Sequence, residues 1–446
     1  GRDTGYEIVV PRKVGSDGKF VSHQIPHHFK RSLYAATDRG GSRIEDDAVH
    51  YRLKIGEKDY HLELRPNPSL VAPEIRISKI LETDAKLREM RDSQCHYLGR
   101  VHGHSGDSAL STCYGLVGIF LTNNLAFLVS GIRKFFQSVH YVFNPENLGI
   151  KLIFTKFRTK RSWYTIEPVA GHDFTKETEH PHVVYKKRPH EFGRNAEILC
   201  NVTGNMAKTI AKRAFSSQKR HPPKNQANSY TMELLLVLDK TVLDYHKDFD
   251  VENYALTLLN MAAALLHDVS LGINMELTIV RIIRMLVQEN EEQMSLTITK
   301  DTNATLKYFQ KWQRMINPGD DTHPNHHDCA ILITKSNICD SPSVCGFTGT
   351  STIAGTCDPL KGAAIINDVG LHTGYHIAHH LGHTLGMSHD VKEENGCPGI
   401  IHHENYIETT VMHPGNLYIT RKWSVCSKES LRLYIDSPRA PPFFFS

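Results

Sequence analysis

The stretch His379-His380-Leu381-Gly382-His383-Thr384-Leu385-Gly386-Met387-Ser388-His389-Asp390 decides how the rest of the chain is read. His379 and His383 stand four apart, so on a helix their rings project from one face, one turn apart. Gly386 lets the backbone leave that helix sharply and brings His389 back towards the first two rings. Three neutral imidazoles with an open fourth position are how a protein holds a catalytic zinc ion. A single histidine on an apolar helix is ordinarily a core or surface residue; three at this spacing around a turn glycine point to a metal. Downstream, Met412 in Thr410-Val411-Met412-His413-Pro414 would alone read as a gap-filling core residue, and it gains meaning only from the helix before it. His372, His376, His379 and His383 also form a one-turn stripe, which makes His376 a rival ligand or, more simply, an exposed neighbour.

Around this stretch lies a chain of ordinary globular composition. Its 446 residues favour two or three domains, and 40% hydrophobic with 22% charged residues describes a soluble protein. The formal charge of +4 is weak and its Lys and Arg are scattered, so nucleic-acid partners are not expected. The 28 histidines make the charge sensitive to pH near 6. The most apolar region, 116–132, is interrupted by Asn123-Asn124 and Ser130, and reads as two strands around an Asn-Asn turn rather than a membrane span. No charged-then-apolar leader is visible at Gly1. Sequons at Asn201-Val202-Thr203 and Asn303-Ala304-Thr305 point to a glycosylated, secreted product, with which nine cysteines are compatible.

Taken in order, residues 1 to about 220 carry short period-two runs such as Tyr51-Arg52-Leu53-Lys54-Ile55 and Tyr60-His61-Leu62-Glu63-Leu64, and are expected to be β-rich. Cys95 and Cys113 bracket a loop that a disulfide would close. Residues 206–228 read as a linker, with Lys212-Arg213 and Lys219-Arg220 open to a proprotein convertase. Ser217 stands where furin-type enzymes prefer Arg, which weakens the second site. Beyond it, the apolar run Thr231 to Leu238 reads as a central strand. Asp250 reads as the N-cap of a helix to Leu266. Strands at 273–285 and 330–333, a helix at 301–316 and an edge strand at Ala363 to Ile366 follow, ahead of the histidine helix. Strands alternating with helices indicate an α/β layer.

The histidine stretch has the metzincin spacing H-E-x-x-H-x-x-G-x-x-H, with His380 where the pattern has Glu and Met412 placed like the Met-turn. Further pieces match more narrowly: His267-Asp268-Val269-Ser270-Leu271-Gly272, Trp312-Gln313, His326-His327-Asp328, Gly355-Thr356-Cys357-Asp358-Pro359, Trp423-Ser424-Val425-Cys426-Ser427 and His180-Pro181-His182-Val183-Val184-Tyr185-Lys186-Lys187. Over nearly its whole length the chain resembles the ADAMTS branch of the adamalysin/reprolysin metalloproteases. The resemblance implies a twisted mixed α/β sheet with a zinc-binding active-site helix, preceded by a β-rich prodomain. It places the prodomain at residues 1–220, the metalloprotease domain at 221–437 and a tail at 438–446. It also implies a secreted zymogen of the extracellular space or matrix, with protein substrates or inhibitors as partners. The family's disintegrin-like, thrombospondin-type and cysteine-rich modules are not in this sequence.

The resemblance carries further expectations residue by residue. Cys339 with Cys345 and Cys397 with Cys426 match two family disulfides, a third family pair maps onto Gln310 and Ala363, and Cys329 is expected to pair with Cys357 in place of the fourth. Losing both halves of a bridge leaves no reactive thiol, as an oxidising compartment demands. Cys200 is placed like the prodomain cysteine whose thiolate fills the zinc's open position in latent relatives; an ordinary unpaired cysteine is the alternative. Glu233 and Asp328 match two ligands of a structural calcium ion.

His380 bears on the chemistry. In a working relative the Glu relays a proton from the attacking water to the leaving amine, which is worth typically ~10²–10⁴-fold. A neutral imidazole can accept a proton, but one ring replaces two carboxylate oxygens and brings no negative charge. Impaired hydrolysis is therefore expected. Two readings follow, a zinc metalloendopeptidase acting on extracellular proteins and a catalytically dead relative that binds substrates, inhibitors or partner proteases.

Overall fold

The computed structural model describes residues 6–30, 48–80, 85–89, 93–104, 107–124, 160–169, 178–187, 200–203, 229–247, 250–286, 296–341, 344–391, 396–402, 407–415 and 422–437. The expected linker at 206–228 and its basic pairs lie outside these residues.

Period-two alternation builds the first sheet. Val49–Ile55 and Lys58–Pro66 form a hairpin whose turn passes through Gly56 at φ +58°. Tyr51, Leu53, Leu62 and Leu64 point into one core, while His50, Arg52, His61 and Glu63 occupy the other face. This hairpin belongs to a ten-stranded antiparallel sheet. Its order is Tyr6–Val9, His182–Lys187, Lys160–Pro168, Val117–Asn124, Asp107–Ser111, His96–Val101, Lys58–Pro66, Val49–Ile55, Arg12–Val14 and Phe20–Ser22. Cys95 and Cys113 are joined by a disulfide. Asn123-Asn124 does not form the expected turn. Both residues stay on the ladder, opposite Arg161 and Lys160, because pairing with Lys160–Pro168 continues through them.

The second sheet has eight strands, in the order Cys200–Thr203, Gly349–Thr352, Ala363–Asn367, Cys329–Thr334, Ser229–Leu238, Asn274–Met285, Val71–Ile80 and Ala85–Glu89. From Ala363–Asn367 to Val71–Ile80 all neighbours run parallel, and Cys329–Thr334 is buried at all six positions, as a two-sided parallel strand must be. Ala363–Asn367 is not the edge. The short polar strand Gly349–Thr352 lies outside it, antiparallel, and Cys200–Thr203 lies parallel beyond that. The N-terminal region thus supplies strands at both margins of the sheet that carries the histidine helix.

Helix Val251–Leu266 joins the two halves. Its N-cap Asp250 accepts from the Asn253 amide, a contact worth about 0.5–2 kcal/mol. Fourteen of its 16 residues are buried, so packing rather than capping holds it. One side meets the core of the second sheet, while Met261 and Ala264 pack against Ala109 and Ile119 of the first sheet. Asn260 accepts from Asn67 Nδ2 at 2.9 Å and donates to the Tyr97 carbonyl at 2.9 Å; Thr257 donates to Ser111 Oγ at 2.8 Å.

Candidate metal centre

Helix Thr373–Thr384 carries His379, His380 and His383, all buried. It ends where Gly386 takes φ +90°, the left-handed conformation that glycine enters without a Cβ penalty. The chain then turns and delivers His389. The three Nε2 atoms converge: His379 to His383 is 3.1 Å, His383 to His389 3.1 Å and His379 to His389 3.3 Å.

Two of these rings have their tautomer fixed from outside. His379 Nδ1 donates to the Val411 carbonyl at 2.7 Å and His383 Nδ1 to the Met387 carbonyl at 2.8 Å. Their Nε2 atoms are then bare lone pairs facing each other, an arrangement that calls for a cation between them. Burial first, and then neighbouring imidazoles, holds His379 down to about 4 and His389 down to about 3 and drives His383 well below its usual range, while the Val411 and Met387 carbonyls act the other way on His379 and His383. At neutral pH all three are in the ligating form.

Cys200 supplies a fourth atom. Its Sγ is 3.3 Å from His379 Nε2 and 3.6 Å from His383 Nε2, and the four residues form one cluster of metal-ligating atoms. Nitrogens sharing a tetrahedral zinc at about 2.0–2.1 Å lie about 3.3–3.4 Å apart, and a sulfur at about 2.3 Å lies about 3.5–3.6 Å from each of them. The residues present fit zinc. Burial pushes the Cys200 thiol up, which a divalent ion would reverse.

His380 stands beside the cluster with its ring against the Gly349–Thr352 strand. Its Nδ1 is 3.0 Å from Ser351 Oγ and its Nε2 3.8 Å from Cys200 Sγ. A Cβ on Gly349 would lie 2.6 Å from that Nε2, so glycine is what leaves room for the imidazole. If the ring donates from Nδ1 to Ser351, its Nε2 lone pair faces the cluster; if Ser351 donates, Nε2–H does. Nothing in the sequence marked Ser351 or Gly349, because neither belongs to the histidine spacing.

Met412 is fully buried beneath the helix, where a Cβ on Gly382 would meet its Sδ at 2.5 Å. The backbone around it is clamped. Asp390 N donates to the Met412 carbonyl at 2.9 Å, and the Asp390 carboxylate accepts from Thr410 at 2.6 Å and Ser424 at 2.7 Å. These bonds hold the Val411 carbonyl that orients His379. His376 is buried rather than exposed and lies outside the four-residue cluster, since its helix face turns into the protein.

Disulfides join Cys339 to Cys345 and Cys397 to Cys426. Cys329 and Cys357 do not pair; both are free thiols. Cys357 donates to Asp328 Oδ1 at 3.4 Å, and Cys329 is directed at the Ala330 carbonyl at 3.9 Å. Burial pushes Cys329 up to about 12 and Cys357 higher still, so both are inert as thiols. Gln310, at one of the two positions that lack a cysteine, uses its amide to donate to Thr352 Oγ1 at 2.8 Å. Glu233 and Asp328 are brought together: the Glu233 amide donates to Asp328 Oδ2 at 2.9 Å, and burial followed by Asp328 raises the Glu233 carboxyl to about 7. Asp321 and His326 cluster with Asp328, their side chains 3.2 Å apart.

Comparison with known proteins places these features in a family. Residues 7–102 match the reprolysin family propeptide and residues 230–441 the reprolysin (M12B) family zinc metalloprotease. "A disintegrin and metalloproteinase with thrombospondin motifs 12" of Mus musculus is 30% identical over 451 residues, covering 97% of this chain and 25% of that protein. The protein with the same designation and number 7 in Rattus norvegicus is 29% identical over 97% of this chain and 25% of its own length. Number 18 of Mus musculus is 28% identical over 99% of this chain and 36% of its own. The chain therefore spans a quarter to about a third of these relatives. No helix among the described residues is long and apolar enough to cross a membrane. With a propeptide match ahead of a metalloprotease match and a three-histidine centre on the matched helix, the chain belongs to the reprolysin (M12B) zinc metalloproteases, as an ADAMTS-type prodomain followed by its metalloprotease domain.

Proposed function

We propose that the chain is the latent form of a secreted zinc metalloendopeptidase-like protein directed at extracellular proteins, with hydrolysis impaired because His380 stands at the general-base position. The observation that carries this reading is the convergence of three imidazole nitrogens and one thiol sulfur at the spacing of a tetrahedral zinc site. His379, His383 and His389 would hold the ion, and Cys200 would close its fourth position. When bound, zinc polarises a scissile carbonyl and acidifies water beside it. The Gly349–Thr352 strand would present its outer edge to an extended substrate once the Cys200 strand has left. His380 would take a proton at Nε2, provided Ser351 accepts from Nδ1.

Release of Cys200 is assigned to a convertase acting at Lys219-Arg220, which would separate residues 1–220 from 221–437. Glu233 and Asp328 would hold calcium, supported by the raised carboxyl of Glu233. A second reading, a pseudoprotease that binds substrates, inhibitors or partner proteases without cutting them, is favoured by the packing of the His380 ring between Gly349 and Ser351, which leaves the imidazole little freedom.

Zinc content tests the site common to both readings. After dialysis of the full chain against a weak chelator, one zinc per chain is expected to remain, and His383→Ala is expected to lose it. Undiminished zinc in the variant would end the three-histidine assignment.

A further inference from the structure

On the outer face of the ten-stranded sheet, far in sequence from the catalytic helix, three more histidines meet. We infer that His50, His61 and His102 form a second divalent transition-metal site, of the imidazole-preferring class to which zinc belongs, on the prodomain surface.

Strand register builds it. In the antiparallel pair Val49–Ile55 and Lys58–Pro66, His50 lies opposite Glu63 and Arg52 opposite His61. In the next pair Val101 lies opposite Leu62, and the His102 amide donates to the His61 carbonyl at 2.8 Å, so His102 comes beside His61. Alternation puts Tyr51, Leu62 and Val101 inside and all three histidines outside. The rings meet closely. His61 Nε2 is 3.2 Å from His50 Nδ1, and one nitrogen from each ring falls within 4.8 Å of the others. The His61 and His102 rings stack at 4.0 Å with planes 20° apart, so one of them turns about its side-chain bonds to aim its in-plane lone pair at a shared ion. Nitrogens on one tetrahedral zinc lie about 3.3–3.4 Å apart, so the closest pair already has the separation of shared ligands.

A carboxylate stands where metal-bound imidazoles carry one. Glu63 Oε2 is 3.3 Å from His102 Nε2, and its side chain is only 12% exposed. Arg65 and Arg100 also bind Glu63, at 2.9 and 3.2 Å, and Arg52 is 3.5 Å from Asp59. These three cations oppose any added positive charge, which makes the site weaker than the buried centre. The reprolysin chemistry uses none of these residues.

The test uses the full chain, stripped by chelator and titrated with Zn²⁺ in equilibrium dialysis. The wild type is expected to bind two ions, His61→Ala and His102→Gln one each, and His383→Ala one, retained at the prodomain face. Because His102 is exposed, its substitution does not threaten folding. Glu63→Gln is expected to weaken the second ion by about 10–100-fold while leaving the first unchanged. A wild type that binds one ion overturns the inference, as does a second ion kept in both His61→Ala and His102→Gln. Loss of the second ion on Asp321→Asn instead of His61→Ala overturns it too, by assigning that ion to the Asp321, His326 and Asp328 group.

Discussion

His380→Glu is expected to raise endopeptidase turnover by on the order of 10²–10⁴-fold, the range that general acid–base catalysis contributes. Everything else beside the cluster is in position: three converging imidazoles, the turn at Gly386 and the packed Met412. What differs is the group that must move a proton. The His380 ring lies against the Gly349–Thr352 strand with Nδ1 at Ser351, so its single useful nitrogen depends on which partner donates there. A carboxylate accepts from either oxygen and carries the negative charge that holds a proton in transit. It also clears the ring from the space that glycine at 349 concedes. The comparison is made after processing between the domains and removal of the prodomain, so that Cys200 masks neither form. A wild type that cleaves casein as fast as the variant makes His380 a competent base and ends the impairment reading. Zinc retained by both with cleavage by neither places the defect elsewhere, first at the Gly349–Thr352 strand.

Cys200→Ala is expected to weaken zinc binding by the full chain by more than the ~10–100-fold that losing an outer-shell partner costs, since here a ligand itself is removed. The thiol is held by its backbone: Cys200–Thr203 pairs in parallel with Gly349–Thr352, with Cys200 opposite Gly349. That register, not the flexible approach of a side chain, sets Sγ at 3.3 Å from His379 Nε2. Competition against a chromogenic chelator reads the change. Equal affinity of wild type and variant would make Cys200 an ordinary buried thiol.

Much of the metal centre was legible because its geometry is local. Spacing of four on a helix, then a glycine and a short turn, brings His379, His383 and His389 together whatever the distant chain does. Helix starts were legible for the same reason: Asp250 and Asp301 each accept from the amide three residues on, as an N-cap does. Position within a sheet is not local. Ala363 to Ile366 has the composition of any buried strand, and what makes it internal is Gly349-Thr350-Ser351-Thr352, too short and polar to read as a strand at all. Val71–Ile80 carries Pro73 and pairs with Asn274–Met285 some two hundred residues away, a partnership no periodicity announces. Pairing Cys329 with Cys357 rested on counting thiols. The count could not reveal that Asp328 accepts a hydrogen bond from the Cys357 thiol while Cys329 is directed elsewhere in the core.

Zinc K-edge X-ray absorption of the full, zinc-loaded chain, after weak-chelator dialysis to leave the tightest ion, reads the first coordination shell directly. The account predicts three nitrogen neighbours at about 2.0–2.1 Å and one sulfur at about 2.3 Å, the sulfur disappearing in Cys200→Ala. A wild-type shell of nitrogen and oxygen alone would contradict it.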